Sequence, residues 1–129
     1  LYQRNAGKLY IPASNMKLFS EAAALMVLGP DYRFKNQLST NAKELSQDGV
    51  LKGDLYLHLS GDPSFSRDDL NTLLDSLKTW NIHSILGNVV IDSALAQVPA
   101  YPPGWLKTDL AYSYGAPIAP LMLDSNRLT

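Results

Sequence analysis

Hydrophobic positions follow several different periods along these 129 residues, and each period predicts an element. After Ser66, apolar side chains recur at Leu70, Leu73, Leu74, Leu77 and Trp80. That spacing of i, i+3, i+4, i+7 and i+10 lays them on one face of an amphipathic helix. Ser66 followed three residues later by Asp69 makes a capping-box start, and Asn81 marks the stop. Across residues 54–60 the period is two: Leu55, Leu57 and Leu59 alternate with Tyr56 and His58, a half-buried strand with His58 facing away from the leucines. Residues 32–40 alternate more weakly and predict a second strand. The polar segment 41–49 with its Asp48-Gly49 turn joins the two as a hairpin. Residues 85–92, with the run Val89-Val90-Ile91, are apolar on both faces, which predicts a central strand. Residues 1–5 and 121–123 read as shorter strands. The apolar run 22–28 ends at Gly29-Pro30, and Pro12 disfavours helix in the residue before it, so a helix is expected over residues 13–28.

Composition narrows the class. The chain is 46% hydrophobic and 18% charged, enough for one domain with a modest core in a mixed α/β fold. The formal net charge is −1 and the Lys and Arg residues are scattered, so no nucleic-acid surface is indicated. The absence of cysteine excludes disulfides, thiol catalysis and cysteine-ligated metals. No apolar run approaches the roughly 18 residues of a membrane span, and no stretch of these residues reads as a signal peptide. Residues 93–120 have a different texture, holding five of the eight prolines together with Tyr101, Trp105, Tyr112 and Tyr114. A long loop of this kind in a compact domain is usually functional. Both ends interrupt strand-like runs, and the chain is expected to be a fragment of a longer protein.

The chemistry concentrates in Ile11-Pro12-Ala13-Ser14-Asn15-Met16-Lys17-Leu18. Ser14 and Lys17 are three residues apart at the start of the expected helix and so share a face. A serine hydroxyl is a poor nucleophile until a nearby base takes its proton. A lysine takes it only where a dry or cation-rich site lowers its pKa. A helix N-terminus disfavours the ammonium form and favours a developing alkoxide. The pattern alone is weak, since Ser-x-x-Lys occurs by chance on the order of 0.5 times in a chain this long. The plain alternative is a helix cap beside a solvated lysine.

Wider context raises the reading. The blocks Pro12-Ala13-Ser14-Asn15-Met16-Lys17, Leu28-Gly29-Pro30-Asp31-Tyr32-Arg33-Phe34 and Gly49-Val50-Leu51-Lys52-Gly53-Asp54-Leu55 are followed by Gly61-Asp62-Pro63-Ser64, Gly87-Asn88-Val89-Val90-Ile91-Asp92, Pro103-Gly104-Trp105 and Tyr114-Gly115-Ala116-Pro117. In this order, and over nearly the whole chain, they resemble the N-terminal part of class C low-molecular-mass penicillin-binding proteins, the D-alanyl-D-alanine carboxypeptidase/endopeptidase family. The resemblance implies part of a penicillin-binding transpeptidase/β-lactamase-like domain over residues 1–29. The start of an inserted α+β domain would occupy residues 30–129. It further implies a serine DD-peptidase of peptidoglycan maturation, outside the bacterial cytoplasmic membrane (periplasmic where there is an outer one), with stem peptides as substrates and β-lactam antibiotics as trapping ligands. Ser14 would be the acylated nucleophile, with its backbone N–H as half of the oxyanion hole, and Lys17 the base. No metal or organic cofactor is implied.

Two family motifs are missing. Ser39-Thr40-Asn41 matches a Ser-x-Asn motif by letters only, at a predicted strand end. Lys78-Thr79 and Lys107-Thr108 are followed by Trp80 and Asp109 rather than by the glycine of Lys-Thr-Gly. The chain by itself is therefore not expected to turn over substrate. The family also carries an aspartate after its Gly-Trp turn that binds the free amino end of the stem peptide, and the resemblance places it at Asp109. A loop carboxylate among aromatic residues suits an ammonium ligand. An aspartate capping the next turn, with Tyr112 and Tyr114 packing the loop onto the sheet, is the plainer alternative. His58 and His83 are not paired as ligands. Two other functions stay open: a β-lactamase or esterase with the same serine and lysine, and a non-catalytic scaffold or binding module.

Overall fold

The computed structural model describes residues 2–45 and 47–126. The chain forms two compact units, Leu1–Arg33 and Phe34–Thr129.

In the first unit a turn closes with the Lys8 N–H donating to the Asn5 carbonyl (2.9 Å), and Asn5 sits at φ 56°. The strand expected over residues 1–5 is thus replaced by a bend in its described part. A single 3-10 turn, Ala13–Asn15, runs into helix α1, Met16–Leu28. The expected helix over residues 13–28 is present, with a tighter first turn. It ends where Gly29 turns to φ 82° and donates its N–H to the Leu25 carbonyl (3.0 Å); Pro30 then prevents continuation. No described residue of this unit is buried, although α1 is apolar on nearly every side.

The second unit is built on β1 (Gln37–Thr40), β3 (Leu55–Leu59) and β5 (Val89–Ser93), with β3 in the centre. β1 is antiparallel to β3, as the hairpin reading requires, and β5 is parallel to it. Parallel neighbours need a crossover, and helix α2 (Arg67–Thr79) supplies it. The short strands β2 (Val50–Leu51) and β4 (Ser84–Ile85) pair in parallel as a separate ribbon. The run 85–92, expected as one central strand, is therefore divided between β4 and β5, and β5 is an edge strand of its sheet. Its two-sided apolar pattern does not reflect burial: Val89 and Ile91 are exposed. Residues 121–123, expected as a strand, have no ladder partner. Leu121 and Leu123 instead pack beneath Leu57, Leu59 and Phe65.

α2 starts as the sequence predicts. The Ser66 hydroxyl accepts from the Asp69 N–H (3.1 Å), and the Asp69 carboxylate accepts from the Ser66 N–H (2.9 Å). Such a cap stabilises a helix by about 1 kcal/mol. Leu70, Leu73 and Leu77 face the sheet, and Trp80 ends the helix half-exposed. The leucines of β3 divide the core. Leu55 joins Leu51 and Ile82; Leu57 and Leu59 join Phe65; Leu38 of β1 touches both clusters. At one end of the sheet Asp54 ties the chain together. Its N–H donates to Asn41 Oδ1 (2.7 Å), and its carboxylate accepts from Asn41 Nδ2 (3.0 Å), the Asn88 N–H (2.8 Å) and Asn88 Nδ2 (3.0 Å). These donors hold its carboxyl below the usual carboxylate range, the Asn88 backbone N–H contributing most.

Candidate active site

Pro12 sets the approach to Ser14. Its carbonyl accepts from the Asn15 N–H (2.9 Å), closing a tight turn around Ala13. Ala13 itself lies at φ 44°, the left-handed region that an alanine adopts at a cost of about 1–2 kcal/mol. Strain of this kind concentrates where a side chain must be presented sharply. Ser14 follows on the 3-10 turn, and Lys17 stands three residues later in the first turn of α1. Their three-residue spacing thus falls across the junction of the 3-10 turn and α1. Both are exposed, and among the described residues neither side chain has a hydrogen-bond or ion-pair partner. The apolar cover that a basic lysine needs is not supplied by residues 2–33.

Asp109 belongs to the second unit, in the 3-10 turn Lys107–Ala111. Its carbonyl accepts from the Tyr112 N–H (3.0 Å), and its carboxylate accepts from the Tyr114 hydroxyl (3.4 Å). Tyr112 and Tyr114 stack face to face, 5.3 Å apart and 5° from parallel. Both rings are more than half exposed, so they do not pack the loop onto the sheet. Partial desolvation, then the Asp109 charge, raises the Tyr114 phenol above its ordinary value. Gly115 is buried against this turn; a Cβ there would run into the Asp109 backbone carbonyl, so only glycine fits. Among the described residues no lysine or arginine pairs with Asp109. The carboxylate therefore keeps acceptor capacity beside its Tyr114 hydroxyl partner, as a cation site requires. A shallow hollow of about 380 Å³ in the same segment is lined by residues that include Leu110, Tyr112, Ser113 and Asn126, but not by Asp109 or Tyr114.

The remaining residues singled out by the sequence settle as follows. Ser39 and Thr40 lie on β1, and the adjoining Asn41 is engaged with Asp54. Lys78 pairs with Asp75 (2.7 Å) on α2. Asp62 organises its turn by accepting from the Ser64 N–H (2.9 Å) and hydroxyl (2.7 Å). His58 faces away from the leucines, as the alternation predicts. It also hydrogen-bonds Ser39 and Asp92, contacts that no sequence pattern marks because the three residues meet only through strand register. Among the described residues no cluster of three or more metal-ligating side chains occurs.

Comparison with known proteins identifies the family and the fold. The whole chain, residues 1–129, matches the family described as D-Ala-D-Ala carboxypeptidase 3 (S13). It is 34% identical over 121 residues to the D-alanyl-D-alanine carboxypeptidase of Actinomadura sp. (strain R39), covering 94% of this chain and 22% of that protein. It is 32% identical over 122 residues to the D-alanyl-D-alanine carboxypeptidase DacB of Haemophilus influenzae, covering 95% and 25%. The crystal structure of penicillin binding protein 4 (dacB) from Haemophilus influenzae superposes with a TM-score of 0.82 at 34% identity, over 91% of this chain and 25% of that one. The chain thus spans about a quarter of the length of these relatives, and its mixed α/β fold is that of one part of a penicillin-binding protein. This chain belongs to the S13 family of D-Ala-D-Ala carboxypeptidases.

Proposed function

We propose that this chain is the nucleophile-bearing part of a serine DD-peptidase that acts on peptidoglycan stem peptides outside the cytoplasmic membrane. Residues 1–29 contribute to its catalytic domain and residues 30–129 begin an inserted domain. The observation that carries the reading is Ser14 presented on a strained turn with Lys17 one turn away, in a chain that matches the S13 family throughout.

In this mechanism Ser14 Oγ attacks the carbonyl carbon of the penultimate D-alanine while Lys17 Nζ, as the neutral amine, takes the hydroxyl proton. The tetrahedral oxyanion faces the Ser14 N–H, half of the donor pair it needs. Collapse breaks the peptide bond, and the leaving D-alanine nitrogen receives the proton from Lys17. Water then attacks the acyl-serine and releases the shortened peptide. A β-lactam would be opened by the same attack and stay bound as an acyl-enzyme. Asp109 would hold the ammonium of the stem peptide's diamino acid.

Intact mass after incubation with penicillin tests this on the natural protein that carries the chain. One β-lactam equivalent should add, and Ser14→Ala should abolish the addition. Lys17→Ala should slow it by about 10²–10⁴-fold, the usual contribution of a positioned base. Unchanged labelling of folded Ser14→Ala would refute the assignment. The 129-residue chain alone is expected to stay unlabelled.

A further inference from the structure

The face of the three-stranded sheet opposite the leucine core carries one polar side chain from each strand in hydrogen-bonded series. Ser39 Oγ on β1 lies 2.7 Å from His58 Nε2 on β3. His58 Nδ1 lies 2.8 Å from Asp92 Oδ2 on β5. Register makes this possible. His58 is directly opposite Asp92 in the parallel pair, and Ser39, opposite Tyr56 in the antiparallel pair, is its diagonal neighbour. A carboxylate only accepts, so in the neutral imidazole the Asp92 contact selects the tautomer with its proton on Nδ1, which leaves the Nε2 lone pair for the Ser39 hydroxyl. Tyr56 stacks on the imidazole at 6.1 Å and 14°. Ser39 is exposed and His58 half-exposed, so an incoming reagent can reach the hydroxyl.

We propose that Ser39 is a second nucleophilic serine, with His58 as its base and Asp92 as a positioning residue, and that it reacts with small activated esters. Ser39 Oγ bonds to the ester carbonyl carbon and its proton passes to His58 Nε2. The carbon–oxygen bond to the leaving group then breaks, and the departing oxygen takes that proton back. Water repeats the sequence on the acyl-serine, so the products are an alcohol or phenol and an acid. The substrate class follows from the setting. Strand N–H groups lie in the plane of the sheet and not on the face that carries Ser39, so the oxyanion is left to solvent. Only esters whose leaving group departs unaided suit such a site; D-alanyl peptides do not.

The test uses the natural protein bearing Ser14→Ala, which silences the serine of the proposed main reaction. It is treated with p-nitrophenyl acetate or an alkyl fluorophosphonate, digested and mapped by mass. Ser39 should be modified about 10²-fold faster than the exposed Ser84 and Ser113. His58→Gln and Asp92→Asn should bring it down to their level without moving the thermal midpoint. The imidazole nitrogen shifts should report the Nδ1–H form in the parent and its loss in Asp92→Asn, a change that a purely structural role would not produce. Modification of Ser39 no faster than of Ser84 and Ser113 overturns the proposal, as does a rate unmoved by His58→Gln. Should His58→Gln fail to fold, the parent ratio and Asp92→Asn decide. Penicillin labelling of Ser39→Ala tests Ser14 separately, so the two proposals fail independently.

Discussion

Asp109 combines a turn position, a tyrosine hydroxyl and a carboxylate with no lysine or arginine partner among the described residues. On the reading that it holds a substrate ammonium, Asp109→Asn keeps the shape of the side chain and removes the charge. A hydrogen bond to a charged group is the stronger kind, so kcat/KM for peptides with a free side-chain amine should fall about 10- to 100-fold. The same variant should leave N-acetylated peptides unaffected and let Tyr114 ionise at lower pH, because the Asp109 charge helps to raise its phenol. Steady-state kinetics with the paired peptides and an ultraviolet titration measure both effects. An equal loss for both peptides would point to a structural aspartate instead. At this scale legibility depended on distance along the chain. Ser14 and Lys17 were readable because one helical turn brings them together. The Tyr114 contact with Asp109 depends on the consecutive 3-10 turns between them, which no periodicity marks. Ser39, His58 and Asp92 meet across separations of 19 and 34 residues, and only the assembled sheet reveals them.

At the scale of elements, β3 was legible because its leucine face is buried, and α2 because Leu70, Leu73 and Leu77 pack, partly buried, against the core, although Leu74 and Trp80 of the same pattern stay exposed. β5 misled because burial on both faces was inferred from its apolar run, whereas neighbour count is a property of the whole sheet. Residues 121–123 misled because apolar residues can fill a core from a loop. Their backbone is anchored by the Asp124 N–H donating to the Phe65 carbonyl (3.1 Å), not by a ladder. Asp54 joins the segments that begin or end β1, β3 and β5, and this makes the sheet sensitive to acid. Its native pKa lies below the ordinary 3.8, so between the two values the unfolded chain binds more protons. Its stabilisation is therefore complete above the unfolded value and is lost as pH falls through the native one. Asp69 in the α2 cap is lowered too, by its bonds to Ser66, and adds in the same direction. Asp54→Asn should thus lower the urea midpoint at pH 7 and flatten its decline between pH 5 and pH 3. An unchanged decline would mean that the Asn41 and Asn88 bonds do not distinguish the two protonation states.

The whole molecule presents an imbalance between its two units. The second has a divided but real core around Leu51, Leu55, Leu57, Leu59, Phe65 and Ile82. The first has a 13-residue helix whose Phe19, Met26 and Val27 are 70%, 86% and 81% exposed. A helix apolar on all sides is a core helix, and one of this length is marginal in water without packing. Ser14 and Lys17 open that helix, so the dry surroundings that would let Lys17 act as a base have to come from whatever covers α1. The relatives are about four times as long as this chain, so in them there is ample sequence for such a cover. Limited proteolysis tests the argument directly. In the 129-residue chain, cleavage should fall first within residues 2–33 while residues 34–126 persist. In the natural protein, the α1 segment should become at least as resistant as the sheet, and a β-lactam bound at Ser14 should not be needed for that protection. Equal resistance of the two segments in the short chain would show that α1 is packed without outside help, and the silence expected of that chain towards penicillin would then rest on the missing motifs alone.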